Sequence, residues 1–185
     1  MISRNFEGKL WIISGEIGAG KTVLCARLIK AFEELGWQIS GLYSPAIMEA
    51  GKKTGIAVEN LASKETRRLA VYDYKPEGLE DDPIHWTFDP QVLEWGNQVF
   101  AYAVPTDLFV VDEIGPLEMK REQGWVNAMR ALDSRQYRQA ILVMRPKLLA
   151  MARSRWQWGE TFKIESVEQV PAITDELIWE WKSGI

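Results

Sequence analysis

Cysteine and histidine each occur once in this 185-residue chain, as Cys25 and His85. A lone thiol forms no internal disulfide, and a lone imidazole builds no multi-histidine metal cage. Long hydrophobic runs are missing too: stretches such as Leu10–Ile13 and Leu108–Val111 fall far short of the roughly 18 apolar residues that a membrane span needs. The N-terminus lacks the charged-then-apolar layout of a signal peptide. Together these absences predict a reduced, cytoplasmic protein with no membrane partner. Nor is there a basic excess. Lys and Arg number 22 against 26 Asp and Glu, a net charge of −4, so no nucleic-acid partner is expected. A small anionic ligand stays compatible with that balance, because charges beyond about 8 Å are largely screened at physiological salt.

What is present is an average globular composition, 46% hydrophobic and 26% charged, without internal repeats or low-complexity segments. The length suits one domain over residues 1–185, burying roughly 70% of its unfolded surface. Leu10–Ile13 is a continuous apolar run that stops at Ser14-Gly15, the pattern of a strand buried on both faces of a parallel sheet. Residues 22–35 switch to helical spacing through Leu24, Leu28, Phe32 and Leu35, with Gly36 as C-cap. Two more buried runs follow, Leu108–Val111 before Asp112 and Ala140–Met144 before Arg145-Pro146. Helices are predicted over Gln91–Ala103, around Trp125, Met129 and Leu132, over 147–156, and at the C-terminal end, where Thr174 is the expected N-cap. Phe162 and Ile164 suggest a further strand. Trp37–Asp73 breaks the rhythm with short alternating pieces and a polar turn at Gly51–Gly55, as in an antiparallel meander. Glu77–Pro83 reads as a solvated loop. The fold class is therefore α/β, a mostly parallel sheet flanked by helices, with an inserted antiparallel β meander.

The strongest motif is Gly15-Glu16-Ile17-Gly18-Ala19-Gly20-Lys21-Thr22, a full match to G-x-x-x-x-G-K-S/T. It follows a buried strand and opens a helix, the placement that a Walker A phosphate loop requires. Glycines let the backbone wrap a phosphate, and consecutive N–H groups make an anion-holding concavity. The helix behind adds roughly half a positive charge at its N-terminus. Lys21 would reach the β- and γ-phosphates and the Thr22 hydroxyl would ligate Mg²⁺.

Asp112 ends an apolar strand in the manner of a Walker B acid and would hold the metal directly or through water. Glu113 follows at once, before Ile114-Gly115-Pro116 breaks the strand. Neighbouring strand side chains point to opposite faces, so Glu113 is left to orient or deprotonate a water; its alternative is a salt bridge to a neighbouring helix. Arg145 ends the third buried run. Ligands of open α/β sheets sit beyond the carboxyl ends of the strands, so Arg145 either touches a γ-phosphate or pairs with an acid beside the basic group Lys147, Arg153 and Arg155. Cys25 reads as a packing residue. The nine tryptophans fall mostly at core-type positions, and His85 has no partner pattern.

The combination of GEIGAGKT, GLYSPAIMEAGKKTGIAV and VVDEIGPLEMK resembles the small P-loop nucleoside-triphosphatase family first described in thermophiles, which includes a cancer-related animal member. The resemblance runs over nearly the whole chain. It implies a RecA-like P-loop domain that hydrolyses ATP, GTP and other nucleoside triphosphates with Mg²⁺ and with loose base preference. By the same match Gly15, Glu16, Ile17, Gly18, Ala19, Gly20, Lys21, Thr22 and the adjoining Val23 would bind phosphates. Val110, Val111, Asp112, Glu113, Ile114, Gly115, Pro116 and Leu117 would form the second nucleotide-contacting element. Three departures mark a divergent member: Val23 stands where the family has a second Thr, Ile47-Met48-Glu49 replaces a Glu-Val-Arg, and Glu168-Gln169-Val170 replaces a Glu-Asn-Arg.

The leading expectation is thus a hydrolase in which Lys21 and Glu113 are catalytic and Thr22 and Asp112 hold Mg²⁺. Two other readings use the same loop: a small-molecule kinase, and a nucleotide-binding adaptor whose binding rather than turnover governs a partner.

Overall fold

The computed structural model describes residues 6–72 and 86–183. The predicted loop at Glu77–Pro83 and His85 lie outside them. All nine described strands join one sheet. In chain order the elements are β1 (Lys9–Ser14), α1 (Lys21–Glu34), β2 (Ile39–Tyr43), β3 (Ala46–Glu49), β4 (Lys52–Asn60), β5 (Thr66–Tyr72), β6 (Trp86–Phe88), α2 (Pro90–Ala101), β7 (Thr106–Ile114), α3 (Pro116–Arg121), α4 (Val126–Ser134), β8 (Tyr137–Met144), α5 (Leu149–Arg155), β9 (Gly159–Lys163) and α6 (Val170–Ser183). The strand order is β6-β5-β4-β2-β7-β8-β1-β9, with β3 paired to β4.

The body is parallel from β2 through β7, β8 and β1 to β9. Beyond β2 the pairing turns antiparallel through β4, β5 and β6. The expected mixed α/β sheet is therefore present, with one correction: Ile39 and Leu42 belong to the parallel body, where Ile39 lies opposite Leu108 and Leu42 opposite Val111. Gly41 allows that close pairing. Its φ is +104°, and a Cβ there would run into the Val110 carbonyl.

Each central strand is buried on both faces, which is why its sequence is continuously apolar rather than alternating. Ile12, Val111 and Leu142 face α2 and α4, together with Val92, Phe100, Trp125 and Leu132. Ile13, Val110 and Val143 face the opposite way, toward Leu24, Leu28 and Phe32 of α1 and Leu177 of α6. Each such side chain, fully buried, stabilises the fold by about 1.5–3 kcal/mol. Phe32 anchors an aromatic cluster at the α1–α6 seam, its ring centroid 4.5 Å from that of Trp37 and 5.6 Å from that of Trp181.

Helix α1 stops where Gly36 takes φ +75°, and Asp89 caps α2 by accepting from the Gln91 amide at 2.8 Å. Thr174 is not an N-cap. It lies inside α6 and donates to the Val170 carbonyl at 2.7 Å, because Ser166 and Gln169 start a 3-10 turn at 167–169 that runs straight into the helix. The polar stretch at Gly51–Gly55 is not all turn either. The chain reverses on Ala50 and Gly51 alone, both at positive φ, as two-residue hairpins require; Lys52 already pairs with Glu49. Among the described residues no helix is long and apolar enough to cross a membrane.

Candidate nucleotide site

The site forms at the carboxyl ends of β1, β7 and β8, which are adjacent in the order β7-β8-β1. Strand β1 delivers the chain to Gly15, and α1 begins at Lys21. Between them Gly18 and Gly20 adopt φ +82° and +98°, a region that other residues enter at a cost. Gly15 and Gly20 answer a second demand, close approach: a Cβ on Gly15 would strike the Ile164 carbonyl, and one on Gly20 would come within 3.1 Å of Val167 Cα. The segment after β9 thus braces the loop from outside. No side chain caps α1, so its first amides are left to a ligand or solvent.

Lys21 folds over the loop. Its Nζ donates to the Gly15 carbonyl at 2.8 Å and to the Glu16 carbonyl at 2.9 Å. Burial lowers its pKa, and the nearby carboxylate of Glu113 is the largest opposing influence. Thr22, next on the helix, donates from Oγ1 to Asp112 Oδ1 at 3.4 Å. The Ser44 amide donates to the other oxygen, Oδ2, at 3.1 Å. Asp112 is only 2% exposed, and burial raises its pKa to about 7, with the Ser44 amide as the strongest influence the other way. Among the described residues this buried carboxylate has one long hydrogen bond on Oδ1 and no strong partner on that side. A hydroxyl and a carboxylate oxygen are the hard donors that Mg²⁺ prefers, and Mg²⁺ commonly takes only one or two protein carboxylates alongside phosphates and waters. The residues present fit such an ion, although no group of three acids, histidines or cysteines that could hold a metal alone occurs among the described residues.

Glu113 sits in a β-bulge. Asp112 lies opposite Val143, yet Ile114 lies opposite Met144, so Glu113 is the extra residue on its strand. Bulges of this kind re-aim side chains beside active sites. Here Asp112 and Ile114 are buried while Glu113 is half-buried, and its Oε1 accepts from Arg145 Nε at 2.7 Å. Of the two alternatives for Glu113, this structure realises a salt bridge, but to the end of the neighbouring strand rather than to a helix.

The remaining expected residues divide clearly. Val110, Val111 and Ile114 have no exposure and serve as core beneath the site. Ile17, Val23 and Leu117 are exposed large apolar residues. Arg153 donates to Thr161 and Arg155 grips both oxygens of Asp133, so neither joins the site. Cys25 is fully buried, and that burial pushes its thiol pKa well up, as a packing residue should behave. Two open clefts of about 510 and 400 Å³ flank Trp95, and no residue of Gly15–Thr22 lines either.

One supporting residue escaped sequence reasoning. Glu118 is 7% exposed and its two oxygens accept from the Gly115 amide at 3.0 Å and the Trp125 amide at 3.1 Å. It ties the turn after Glu113 to the start of α4; the acid in the DEIGPLE string was the available signal. Glu118→Ala is expected to lower unfolding free energy by about 3 kcal/mol, because two enclosed amides lose a charged acceptor. Urea unfolding should show an earlier midpoint at unchanged slope, with Glu118→Gln losing less. An alanine variant as stable as the parent would contradict the assignment.

The chain is similar to known proteins over most of its length. A family model described as NTPase matches residues 11–168. The nucleoside-triphosphatase THEP1 of Caldivirga maquilingensis is 27% identical over 165 residues, covering 89% of this chain and 91% of that one. Among solved structures, a human cancer-related nucleoside triphosphatase superimposes with a TM-score of 0.67 at 19% identity, over 91% of this chain and 97% of the other. The THEP1 of Aquifex aeolicus gives a TM-score of 0.57 at 17% identity, over 91% and 96%. These two likenesses concern the fold.

Proposed function

The chain belongs to the NTPase family, and from that premise we propose that it hydrolyses ATP, GTP and other nucleoside triphosphates to the diphosphate and phosphate, with Mg²⁺ and with little preference for the base. Residues 1–185 are read as one catalytic domain, cytoplasmic, with small-molecule substrates and no nucleic-acid or membrane partner. The observation that carries the reading is the meeting of Thr22 and Asp112, 90 residues apart in sequence, at 3.4 Å beside Lys21.

Glycine-loop amides and the α1 N-terminus would bind the phosphates, with Gly18 and Gly20 at positive φ shaping the loop. Among the described residues Lys21 donates to the Gly15 and Glu16 carbonyls of its own loop, neutral acceptors that an anionic phosphate displaces readily. Mg²⁺, held by Thr22 and Asp112, would offset negative charge on the phosphate oxygens. Glu113 would accept a proton from water as the water oxygen bonds to the γ-phosphorus. The bond from that phosphorus to the β–γ bridging oxygen breaks, and the diphosphate leaves.

Purified protein given ATP, GTP, CTP or UTP with Mg²⁺ and no acceptor should release phosphate, and chelating the metal should stop it. Silence with all four nucleotides would overturn the hydrolase reading. The adaptor reading has one observation in its favour, the occupation of Glu113 by Arg145. It predicts nucleotide binding without release.

A further inference from the structure

In this structure the proposed base is already engaged. Glu113 and Arg145 come from the carboxyl ends of adjacent parallel strands, β7 and β8, and their side chains meet at 2.7 Å. Three features make this contact one that can be exchanged. The bulge sets Glu113 apart from the ladder, so its side chain is not fixed by strand pairing. Pro146 follows Arg145 and keeps its backbone extended, at φ −82° and ψ 150°; any movement therefore belongs to the side chain. Lastly, the two side chains are 50% and 37% exposed, and a solvent-exposed pair of this kind shifts an equilibrium by about fivefold at most.

Position supplies the alternative partner. Arg145 follows Met144, which lies opposite Ser14 where the loop to Lys21 begins, and Glu113 and Arg145 act on the Lys21 ammonium with opposite signs. A guanidinium fork matches a terminal phosphate better than a single carboxylate oxygen, since phosphate offers several oxygens and more charge.

Resting on the phosphate site proposed above, we infer that Arg145 exchanges partners during the cycle: it holds Glu113 in the nucleotide-free chain and moves to the γ-phosphate of a nucleoside triphosphate, releasing Glu113 to the water. One event then both recognises the third phosphate and frees the base. A diphosphate, lacking that group, leaves the pair closed.

The test is calorimetric binding of a non-hydrolysable triphosphate analogue and of the matching diphosphate, at fixed Mg²⁺, to wild type, Arg145→Gln, Glu113→Gln and the double variant. Arg145→Gln should weaken the analogue by about 10- to 100-fold, the loss of a charged hydrogen-bond donor, and leave the diphosphate within about twofold, as expected for a group that never touches it. Glu113→Gln should tighten the analogue by up to about fivefold by freeing the arginine, and that gain should vanish in the double variant. If the gain persists without Arg145, Glu113 acts by charge repulsion alone and the exchange is wrong. Equal weakening of both nucleotides by Arg145→Gln would also overturn it, while nucleotide binding by wild type would still stand. Failure of wild type to bind either nucleotide would remove the phosphate site itself.

Discussion

Glu113→Gln should slow phosphate release by about 10²- to 10⁴-fold, the usual contribution of a positioned general base, while the protein still binds nucleoside triphosphate. The substitution keeps the shape of the side chain and removes its negative charge, and with it both the ability to take a proton and the ion pair with Arg145. Glu113 is half-buried and projects from a bulge, so folding should change by less than about 0.5 kcal/mol, as at ordinary surface positions. Single-turnover measurements at saturating nucleotide separate the two quantities: a fall in the rate of the chemical step with no fall in affinity. Retention of the wild-type rate within a few-fold would show that some other group activates the water, and the role assigned to Glu113 would have to be abandoned.

Asp112→Asn is expected to act in two opposite directions. Burial raises the Asp112 pKa from 3.8 to about 7, so its ionised form is disfavoured in the folded chain. Below pH 3.8 the carboxyl is neutral in folded and unfolded chains alike, and no penalty exists. As pH rises from there toward 7 the unfolded chain ionises first, and stability falls; above 7 the loss is complete and constant. It amounts to roughly 4 kcal/mol at alkaline pH. Asparagine never carries this penalty. Without metal or nucleotide, Asp112→Asn should therefore melt on the order of 10 °C above wild type at pH 8, and the difference should shrink steadily as pH falls from 7 toward 4. With Mg²⁺ and a triphosphate analogue the difference should shrink by more than half. Wild type gains about 2.7 kcal/mol at a hundredfold excess of ligand over its dissociation constant, whereas the asparagine variant has lost a metal ligand and gains little. A variant less stable than wild type at pH 8 in chelator would mean that Asp112 is not a strained, ionised carboxylate waiting for a cation.

These expectations draw on different depths of information. Gly15–Thr22 was legible because its requirements are local: positive φ at Gly18 and Gly20, an exposed helix start, and a lysine and hydroxyl at the first helical positions, all within eight consecutive residues. Asp112 was legible for a related reason, since a carboxylate ending the apolar strand of Leu108–Val111 must find a partner. Neither motif disclosed that Ser44 lends its amide to Asp112 or that Glu118 clamps the turn behind Glu113. The Ser44 and Trp125 bonds join residues from separate elements, where any of several acids or amides would have suited the local pattern equally well, whereas the Gly115 bond closes within the first turn of α3. The mistaken cap at Thr174 has the opposite cause. A good local signal was overridden when the preceding 3-10 turn at 167–169 fed its own hydrogen bonds into α6.

The glycine-rich turn at 15–20, the acid at the strand end, the core strands and the α/β class could be read from residue order alone, because each depends on the spacing of neighbours along the chain. Only the tertiary structure decided that β8 lies between β1 and β7, that one extra residue bulges at Glu113, and that Arg145, 32 positions later, is the group it meets. Strand order and register are settled by how both apolar faces of the sheet bury against α1, α6, α2 and α4. That choice is made by the whole core at once and leaves no mark on any short stretch of residues.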